Sequence, residues 1–407
     1  MKFLRLGICA LVAVGVLAHG GVEDWAIAVY ETGAAILFVA WAIQFYFQQQ
    51  EELRISPLLP PLAALLLVVL AQLVFHTTAS TYNTHHEFML LLTHAIVLFL
   101  AVQAFQTLED WRSFVWFVMV FGFLVCVFGI LQHLTFNGKL YWFRERTFGG
   151  IPFGPYVNRN HFAGFAELVI PLSLVPLMVG KVRQERRLIV GLFATVSIGA
   201  LFLAASRGGV ISFAVQVIVV VVWMSVRRTG SKQILAGAGV LLAALLMVSW
   251  LGVKEIAKRF SSMQNLEVAA GKRAAMRLDT WHIFLDHPVI GTGLGTLQMV
   301  FPPYETLYDA RIVNHSHNDY LEALAETGIA GGVCCGLFLA MLLIHSWRRI
   351  TKASKFVSVL HVSGLVACIG ILVHSFVDFN LHIPANALLF FLTAVLATSE
   401  MEVTKTA

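Results

Sequence analysis

Charged residues are scarce in this sequence: Asp, Glu, Lys and Arg make up 13% of its 407 residues, whereas apolar residues make up 58%. A soluble protein of this length would need far more charge to cover its surface. Apolar runs of about 18–22 residues recur along the chain, and each is long enough to cross a hydrocarbon layer of roughly 30 Å. The composition therefore excludes a soluble globular protein and predicts an all-α, multi-pass membrane protein.

Cysteine is scarce as well, with five residues that all fall inside apolar runs and none at metal-ligand spacing. We therefore expect small core side chains rather than disulfides or cysteine chemistry. The net charge of +5 is spread over both predicted sides of the membrane, which argues against a nucleic-acid partner. No internal repeat divides the chain, so we predict one integral membrane domain over residues 1–407.

The apolar runs predict about twelve membrane spans, at residues 4–19, 25–45, 57–76, 88–108, 112–134, 160–180, 187–205, 209–226, 232–252, 329–347, 356–377 and 383–399. A cytoplasmic N-terminus puts sixteen of the 28 lysines and arginines on the cytoplasmic side, in agreement with the positive-inside rule. Both termini are then cytoplasmic, and residues 253–328 form a long periplasmic loop in a bacterial inner-membrane protein. Lys2, Arg5 and Ala18-His19-Gly20 also fit a signal peptide, whose removal would leave this orientation unchanged.

Polar residues, which are costly in a membrane protein, collect on the predicted outer side. They include Asn158-Arg159-Asn160-His161, Ser206-Arg207-Gly208, the loop 253–328 and Asp378-Phe379-Asn380-Leu381-His382. A membrane protein that concentrates polar groups on one side usually builds a site there. We therefore expect the functional site at the outer face, between the loop and the membrane.

Inside the long loop, residues 272–282 are predicted to form a helix that carries Arg273, Arg277 and Trp281 on one face. Two guanidinium groups on one stripe suit a pyrophosphate, because each planar fork can bind two oxygens. A surface helix with solvated arginines near lipid headgroups is the alternative. The glycine-rich run 286–295 follows no strand and contains no GK[ST], so it indicates a tight turn rather than a nucleotide site.

The strongest constellation in the loop is residues 314–328, where Ser316 or Asn318 can cap a helix and Gly328 can end it. His315 and His317 then lie at or just before the helix N-terminus. The positive end of a helix favours a neutral imidazole, which is the form that a general base needs. Metal binding, or hydrogen bonding within the loop, remains an alternative for the two histidines.

Together these motifs resemble the O-antigen ligase and polymerase superfamily. The resemblance rests on Ser206-Arg207-Gly208-Gly209, on Arg277 followed by Trp281 and the run 286–295, on His317-Asn318-Asp319-Tyr320-Leu321, and on Glu326-Thr327-Gly328. It covers about residues 150–390. It implies a GT-C-like membrane glycosyltransferase that takes a glycan from undecaprenyl diphosphate at the periplasmic face. Ligases of this superfamily transfer the glycan to lipid A–core, and polymerases transfer it to another lipid-linked repeat.

The resemblance also implies roles for particular residues. His317 takes the role of the catalytic histidine, with His315 as a second candidate, and Arg207 and Arg277 take the roles of diphosphate-binding arginines. Arg273, Arg159 and Arg311 are further candidates for the diphosphate, and Asn318 and Trp281 are supporting residues. The loop has no tight D-x-D pair, so we expect a mechanism without a metal or other cofactor. We also expect the transfer to be inverting.

O-antigen ligase activity on lipid A–core is the favoured function, and an O-antigen or exopolysaccharide polymerase is the alternative. A secondary transporter also fits about twelve spans. However, a two-halved transporter would place its long loop centrally on the inner side and its ionisable groups near mid-membrane. The one-sided cluster of arginines and histidines therefore favours an enzyme.

Overall fold

The computed structural model describes residues 1–48, 52–145, 150–227, 235, 237–250, 263–308 and 312–402. Within these ranges the chain forms helices and connecting segments and no β-strand. The helices are α1 (Lys2–Leu17), α2 (Asp24–Gln48), α3 (Leu59–Val74), α4 (Thr81–Ala104), α5 (Leu108–Leu134), α6 (Arg159–Met178), α7 (Arg187–Leu203), α8 (Arg207–Val226), α9 (Gly237–Trp250), α10 (Met263–Asp286), α11 (Leu297–Val300), α12 (Asp319–Lys352), α13 (Lys355–His374) and α14 (Pro384–Thr398). The predicted all-α class is confirmed.

Eight of the described helices are long and apolar enough to cross a membrane, and α3, α9 and α14 are shorter apolar helices. The polytopic membrane class is therefore confirmed. Each predicted span coincides with a helix, but the number that cross the membrane stays a prediction. Part of the ninth predicted span and residues 253–262 of the predicted loop lie outside the described residues.

Connecting segments that the charge distribution assigns to the same side of the membrane meet at the same end of the helix bundle. At the end predicted to be cytoplasmic, Arg5 pairs with Asp110, and Arg227 Nη2 donates to the carbonyl of Ile350 at 3.0 Å. At the opposite end, the amide of Ala385 donates to the carbonyl of Gly20 at 3.0 Å. Segments distant in sequence thus meet at a common end, which brings the predicted site residues together. The compartment that each end faces stays a prediction.

Helix α6 lies at the centre of the bundle and positions one part of the site. It is mostly apolar and nearly all of its residues are buried against α5, α7, α13 and α14, as expected of a helix surrounded by other helices. The side chain of Asn158 caps its first turn by accepting a hydrogen bond from the amide of Asn160 at 2.9 Å. The start of α6 is therefore held firmly at the end of the bundle where the polar segments meet.

Helix α12 is kinked at Gly328, which has φ 62° and ψ −165°. The predicted helix end at Gly328 is confirmed, but the chain resumes a helix at once. The glycine-rich run packs backbone to backbone against this kink: the amide of Ile329 donates to the carbonyl of Pro288 at 2.8 Å, and that of Gly293 to the carbonyl of Glu326 at 2.9 Å. This run is therefore a tight turn, as predicted, and it anchors the start of α12.

A small apolar cluster gives the long loop a core of its own. Ile283, Leu297, Phe301, Val313 and Ala325 are buried together and connect α10 and α11 to the first part of α12. The predicted helix 272–282 is part of α10, which extends further in both directions. The described part of the loop is thus folded onto α12, and it places α10 beside the histidine-containing segment.

Candidate functional site

His317 lies where the loop, the first turn of α6 and the segment after α13 converge. Its ring nitrogen Nδ1 is 3.3 Å from Oδ1 of Asp378. The side-chain amide of Asn160 donates to Oδ2 of the same carboxylate at 2.5 Å, and the amide of Phe379 donates to Oδ1 at 3.0 Å. The structure therefore brings together a histidine and a carboxylate that are 61 residues apart in sequence.

The carboxylate of Asp378 is buried, with 1% of the residue exposed. Burial by itself would raise the pKa of Asp378, but the hydrogen bond from His317 and the nearby imidazoles of His161 and His374 hold it well below its ordinary value. An ionised Asp378 accepts the Nδ1 proton of His317 and leaves Nε2 of that ring as the nitrogen able to accept another proton. This arrangement suits a general base.

The backbone of His317 is in the left-handed region, with φ 53°. Non-glycine residues adopt this conformation uncommonly, and such residues cluster at functional sites. The neighbouring Asn318 explains how the conformation is maintained. Its side chain caps α12 by accepting from the amides of Tyr320 and Leu321, while its own amide group donates to the carbonyl of Phe376 at 3.2 Å. Asn318 is thus a supporting residue, as predicted.

His315 belongs to a second cluster, which sequence reasoning did not separate from the first. Its Nδ1 lies 2.6 Å from Oε1 of Glu322, and Nε2 of His382 lies 3.5 Å from the same oxygen. Nδ1 of His382 lies 2.8 Å from Oδ1 of Asp319. Burial would lower the pKa of His382, but the carboxylates of Glu322 and Asp319 raise it well above its ordinary value.

The ring of Phe379 separates the two clusters. Its centroid is 4.1 Å from that of His315, 5.2 Å from that of His317 and 4.8 Å from that of His161. The stacked arrangement with His315 fixes the plane of that imidazole. His315 and His317 lie on the same aromatic ring but contact different carboxylates, so they are positioned for different tasks.

One predicted arginine contacts the segment that precedes Phe379, and a second is adjacent to a glycine that packs against it. Arg273 donates from Nη1 to the carbonyl of Val377 at 3.3 Å, one residue before Asp378. Arg207 is the exposed first residue of α8, and the adjacent Gly208 packs so closely that an added Cβ would lie 2.9 Å from the Val377 side chain. Arg273 and the residue after Arg207 thus both contact the segment that carries Asp378.

The remaining predicted residues lie on α6 and α10, apart from Arg311. Arg159 is the first residue of α6, directly before Asn160. Arg277 is half-buried one turn beyond Arg273 in α10, and the indole of Trp281 pairs with Phe284 at a centroid distance of 5.0 Å. Arg311 lies outside the described residues.

Three acidic residues and one histidine of the site were given no role from the sequence. Asp378 and His382 were named among the outer polar residues and Asp319 in the family motif, but neither these residues nor Glu322 were given a role. Asp378 and its partner His317, and His382 and its partner Asp319, are more than 50 residues apart, so spacing along the chain could not reveal these two pairs. The described residues also include one group whose ligand atoms lie close enough to hold a metal ion, formed by His315, Glu322 and His382. The expectation of a metal-free site stays untested.

A family model described as "O-Antigen ligase" matches residues 192–336, which run from α7 through the first part of α12. The match supports the O-antigen ligase and polymerase superfamily. The resemblance predicted from the motifs is thus confirmed over residues 192–336. Arg207, Arg273, Arg277 and His317 all lie within the O-antigen ligase match, whereas Asp378 and His382 lie after it. A comparison with curated proteins finds no match.

Proposed function

We propose that this protein is a membrane glycosyltransferase that moves a glycan from undecaprenyl diphosphate to a hydroxyl group at the periplasmic face, with lipid A–core as the acceptor. The observation that carries the proposal is the pair of His317 and Asp378 at one end of an apolar helix bundle, where Arg273 donates to the carbonyl of Val377 directly before Asp378. Arg207 precedes the glycine that packs against the same Val377. A base beside fixed positive charge is what displacement of a diphosphate requires. The O-antigen ligase match supports the same chemistry.

In the proposed reaction, Nε2 of His317 accepts the proton of the acceptor hydroxyl as its oxygen attacks the anomeric carbon of the donor sugar. The bond from that carbon to the diphosphate oxygen breaks, and undecaprenyl diphosphate leaves with the electron pair. Guanidinium groups of Arg207 and Arg273 stabilise the negative charge that develops on the leaving group. A single displacement of this kind inverts the configuration of the anomeric carbon.

Asp378 acts on this reaction through His317, so it is a positioning residue. It holds Nδ1 of the imidazole and stabilises the imidazolium that forms during proton transfer. Asn160 in turn holds Asp378 by the hydrogen bond to Oδ2. This chain of contacts links the first turn of α6 to the reacting nitrogen, which gives α6 a role beyond packing.

The decisive experiment supplies the purified protein with undecaprenyl diphosphate–glycan and lipid A–core, and follows the glycan by gel mobility. Glycosylated lipid A–core is the expected product. A parallel reaction omits lipid A–core, and lengthened lipid-linked glycan in that reaction would identify a polymerase instead. Absence of any glycan transfer, together with counterflow of the lipid-linked glycan in vesicles, would favour the transporter alternative.

Arg207→Ala is expected to lower kcat by about 10²–10³-fold, because one preformed cationic partner of the leaving group is lost. Arg207 is exposed at the start of α8, so the thermal stability of the variant should match that of the wild type. Arg183→Ala, which removes an exposed arginine from the opposite end of the bundle, is the control and should transfer glycan normally. Equal activity of both variants would exclude Arg207 from the diphosphate site.

Asp378→Asn is expected to lower kcat by about 10–10²-fold with little change in KM, as part of the about 10²–10⁴-fold that general acid–base catalysis supplies. A double-mutant cycle with His317→Asn distinguishes positioning from a general structural effect. Residues that act through one another are strongly non-additive, so the Asp378→Asn change should add almost nothing once His317 is replaced. Full additivity of the two losses would contradict the proposed pair.

A further inference from the structure

The second histidine cluster borders a cavity of about 270 Å³ whose charges differ from those of the proposed diphosphate site. Its lining includes four carboxylates and three imidazoles, from Asp24, Glu87, Glu322, Glu326, His86, His315 and His382. Among the described residues that line it, none is a lysine or an arginine. A diphosphate would be repelled by this lining, whereas a cation would be attracted.

Three carboxylates that face this region are buried on the first two turns of α12. Asp319, Glu322 and Glu326 are exposed by 5%, 1% and 1% respectively. Buried carboxylates are costly unless they are paired or coordinate a metal. Oε2 of Glu326 has no hydrogen-bond partner among the described residues. The described protein groups around it therefore leave one buried oxygen atom of this acidic group without a partner.

In this cluster the candidate ligand side chains are themselves held by hydrogen bonds to outer groups, as is typical of metal centres. Oε2 of Glu322 accepts from the amide and the hydroxyl of Ser316 at 2.8 and 3.1 Å, which turns Oε1 towards the two imidazoles. Nδ1 of His382 lies 2.8 Å from Asp319, so Nε2 is the nitrogen directed at Glu322. Asp319 is itself held by the hydroxyl of Ser375 at 2.6 Å. Metal-binding histidines usually donate their second ring N–H to a carboxylate in this way.

We propose that His315 Nδ1, Glu322 Oε1 and His382 Nε2 bind a divalent transition-metal ion of the Zn²⁺ class. One ligand atom from each of the three residues lies within 4.8 Å of the other two. Bonds of about 2.0–2.1 Å in a tetrahedral site separate neighbouring ligand atoms by about 3.3 Å, so small side-chain rotations suffice. Two histidines and one glutamate leave a coordination position open, and it would face the cavity.

This inference goes beyond the proposed glycan transfer, in which neither His382 nor Glu322 takes part. The ion would connect the loop at His315, the first turn of α12 and the segment after α13. Those segments carry His317 and Asp378, which share Phe379 with the cluster. The metal centre would therefore stabilise the arrangement of the catalytic pair without contacting the base.

The test measures metal binding by tag-free, full-length protein in detergent, because a polyhistidine tag would itself bind the probe. After treatment with a chelator and gel filtration, the protein is titrated with ZnCl₂ by calorimetry, and bound zinc is counted by mass spectrometry. We expect one Zn²⁺ per chain for the wild type. We expect the same for His282→Ala, which removes an exposed histidine of α10 outside the cluster.

Zinc binding by variants of the cluster should distinguish the metal ligands from the residues that only hold those ligands by hydrogen bonds. His382→Ala and Glu322→Gln should lose the bound zinc, and Asp319→Asn should weaken binding by about 10–100-fold, as removal of an outer partner does. Wild-type protein that retains no more zinc than His382→Ala would overturn the proposal. The cluster would then be held by a protonated His382 between two carboxylates.

A measurement on the wild type alone covers the case in which the variants do not fold. X-ray absorption of the zinc-loaded protein should show scattering from two imidazole rings and one carboxylate oxygen. A zinc spectrum without imidazole scattering would overturn the proposed ligand set. Neither measurement uses glycan transfer, so the metal proposal and the proposed function can fail independently.

Discussion

Replacement of His317 with asparagine is expected to lower kcat for glycan transfer by about 10²–10⁴-fold, the largest loss of activity that we predict for a single side chain. The imidazole is the group that accepts the hydroxyl proton in the proposed reaction, and the nearby His315 faces Glu322 and His382 instead. KM for the lipid-linked donor should change little, since the arginines that bind the diphosphate remain. The measurement is the initial rate of lipid A–core glycosylation by purified protein.

Asparagine is preferred to alanine here because of the backbone. His317 has φ 53°, and asparagine adopts the left-handed region more readily than other non-glycine residues. The variant therefore removes the imidazole with little additional strain, and its thermal stability should be close to that of the wild type. A retained rate in His317→Asn would defeat the assignment of the base, while a loss in His315→Ala alone would transfer the role to His315.

A control separates the loss of the base from a general disturbance of the loop. His282→Ala removes an exposed imidazole from α10, in the same predicted loop and outside both clusters. Its kcat should equal that of the wild type. An equal loss in His282→Ala and His317→Asn would indicate that the loop is sensitive to any substitution, and the rate data would then not support a catalytic role for His317.

The sequence predicted the helices and the family well because both depend on local patterns. Apolar runs mark the spans, and ordered motifs such as Ser206-Arg207-Gly208-Gly209 mark the family. The helix cap could be predicted as well, because the side chain of Asn318 bonds to amides only two and three residues further along the chain. These features need no knowledge of which helices lie side by side.

The partners of the histidines could not be predicted in the same way. Asp378 contacts His317, and Asp319 contacts His382, because α12 and α13 pack together and bring two distant segments to one end of the bundle. Periodicity along each helix is equally compatible with many packing partners, so it cannot select these pairs. The separation of His315 from His317 into two clusters likewise depends on the position of Phe379 between them.

The largest loss of stability is expected for Gly328→Ala, with the free energy of unfolding lowered by about 3 kcal/mol or more. The backbone at Gly328 has φ 62° and ψ −165°, a region that is essentially restricted to glycine. An added Cβ would also lie 2.4 Å from the carbonyl carbon and oxygen of Val289, which are backbone atoms that cannot rotate away. Thermal unfolding in detergent, followed by tryptophan fluorescence, measures the effect.

The same helix supplies a matched control. An added Cβ at Gly336 would meet no atom within 4 Å, and Gly336 is helical, so Gly336→Ala should be neutral or stabilise by up to about 1 kcal/mol. Gly291→Ala tests the opposite side of the contact, because its Cβ would lie 2.2 Å from the backbone of Glu326. It should destabilise as Gly328→Ala does. A melting temperature of Gly328→Ala equal to that of Gly336→Ala would contradict the kinked geometry.

The kink also connects stability to the site. The turn after α10 holds the first part of α12 by backbone hydrogen bonds to Ala325 and Glu326, and that part carries Asn318 at its start and Glu322 one turn later. If the kink is lost, the histidine segment loses its anchor even where the membrane-spanning part of α12 remains helical. Any Gly328→Ala protein that folds should therefore transfer glycan more slowly than Gly336→Ala protein at the same temperature. Equal rates would show that the kink stabilises the fold without positioning His317.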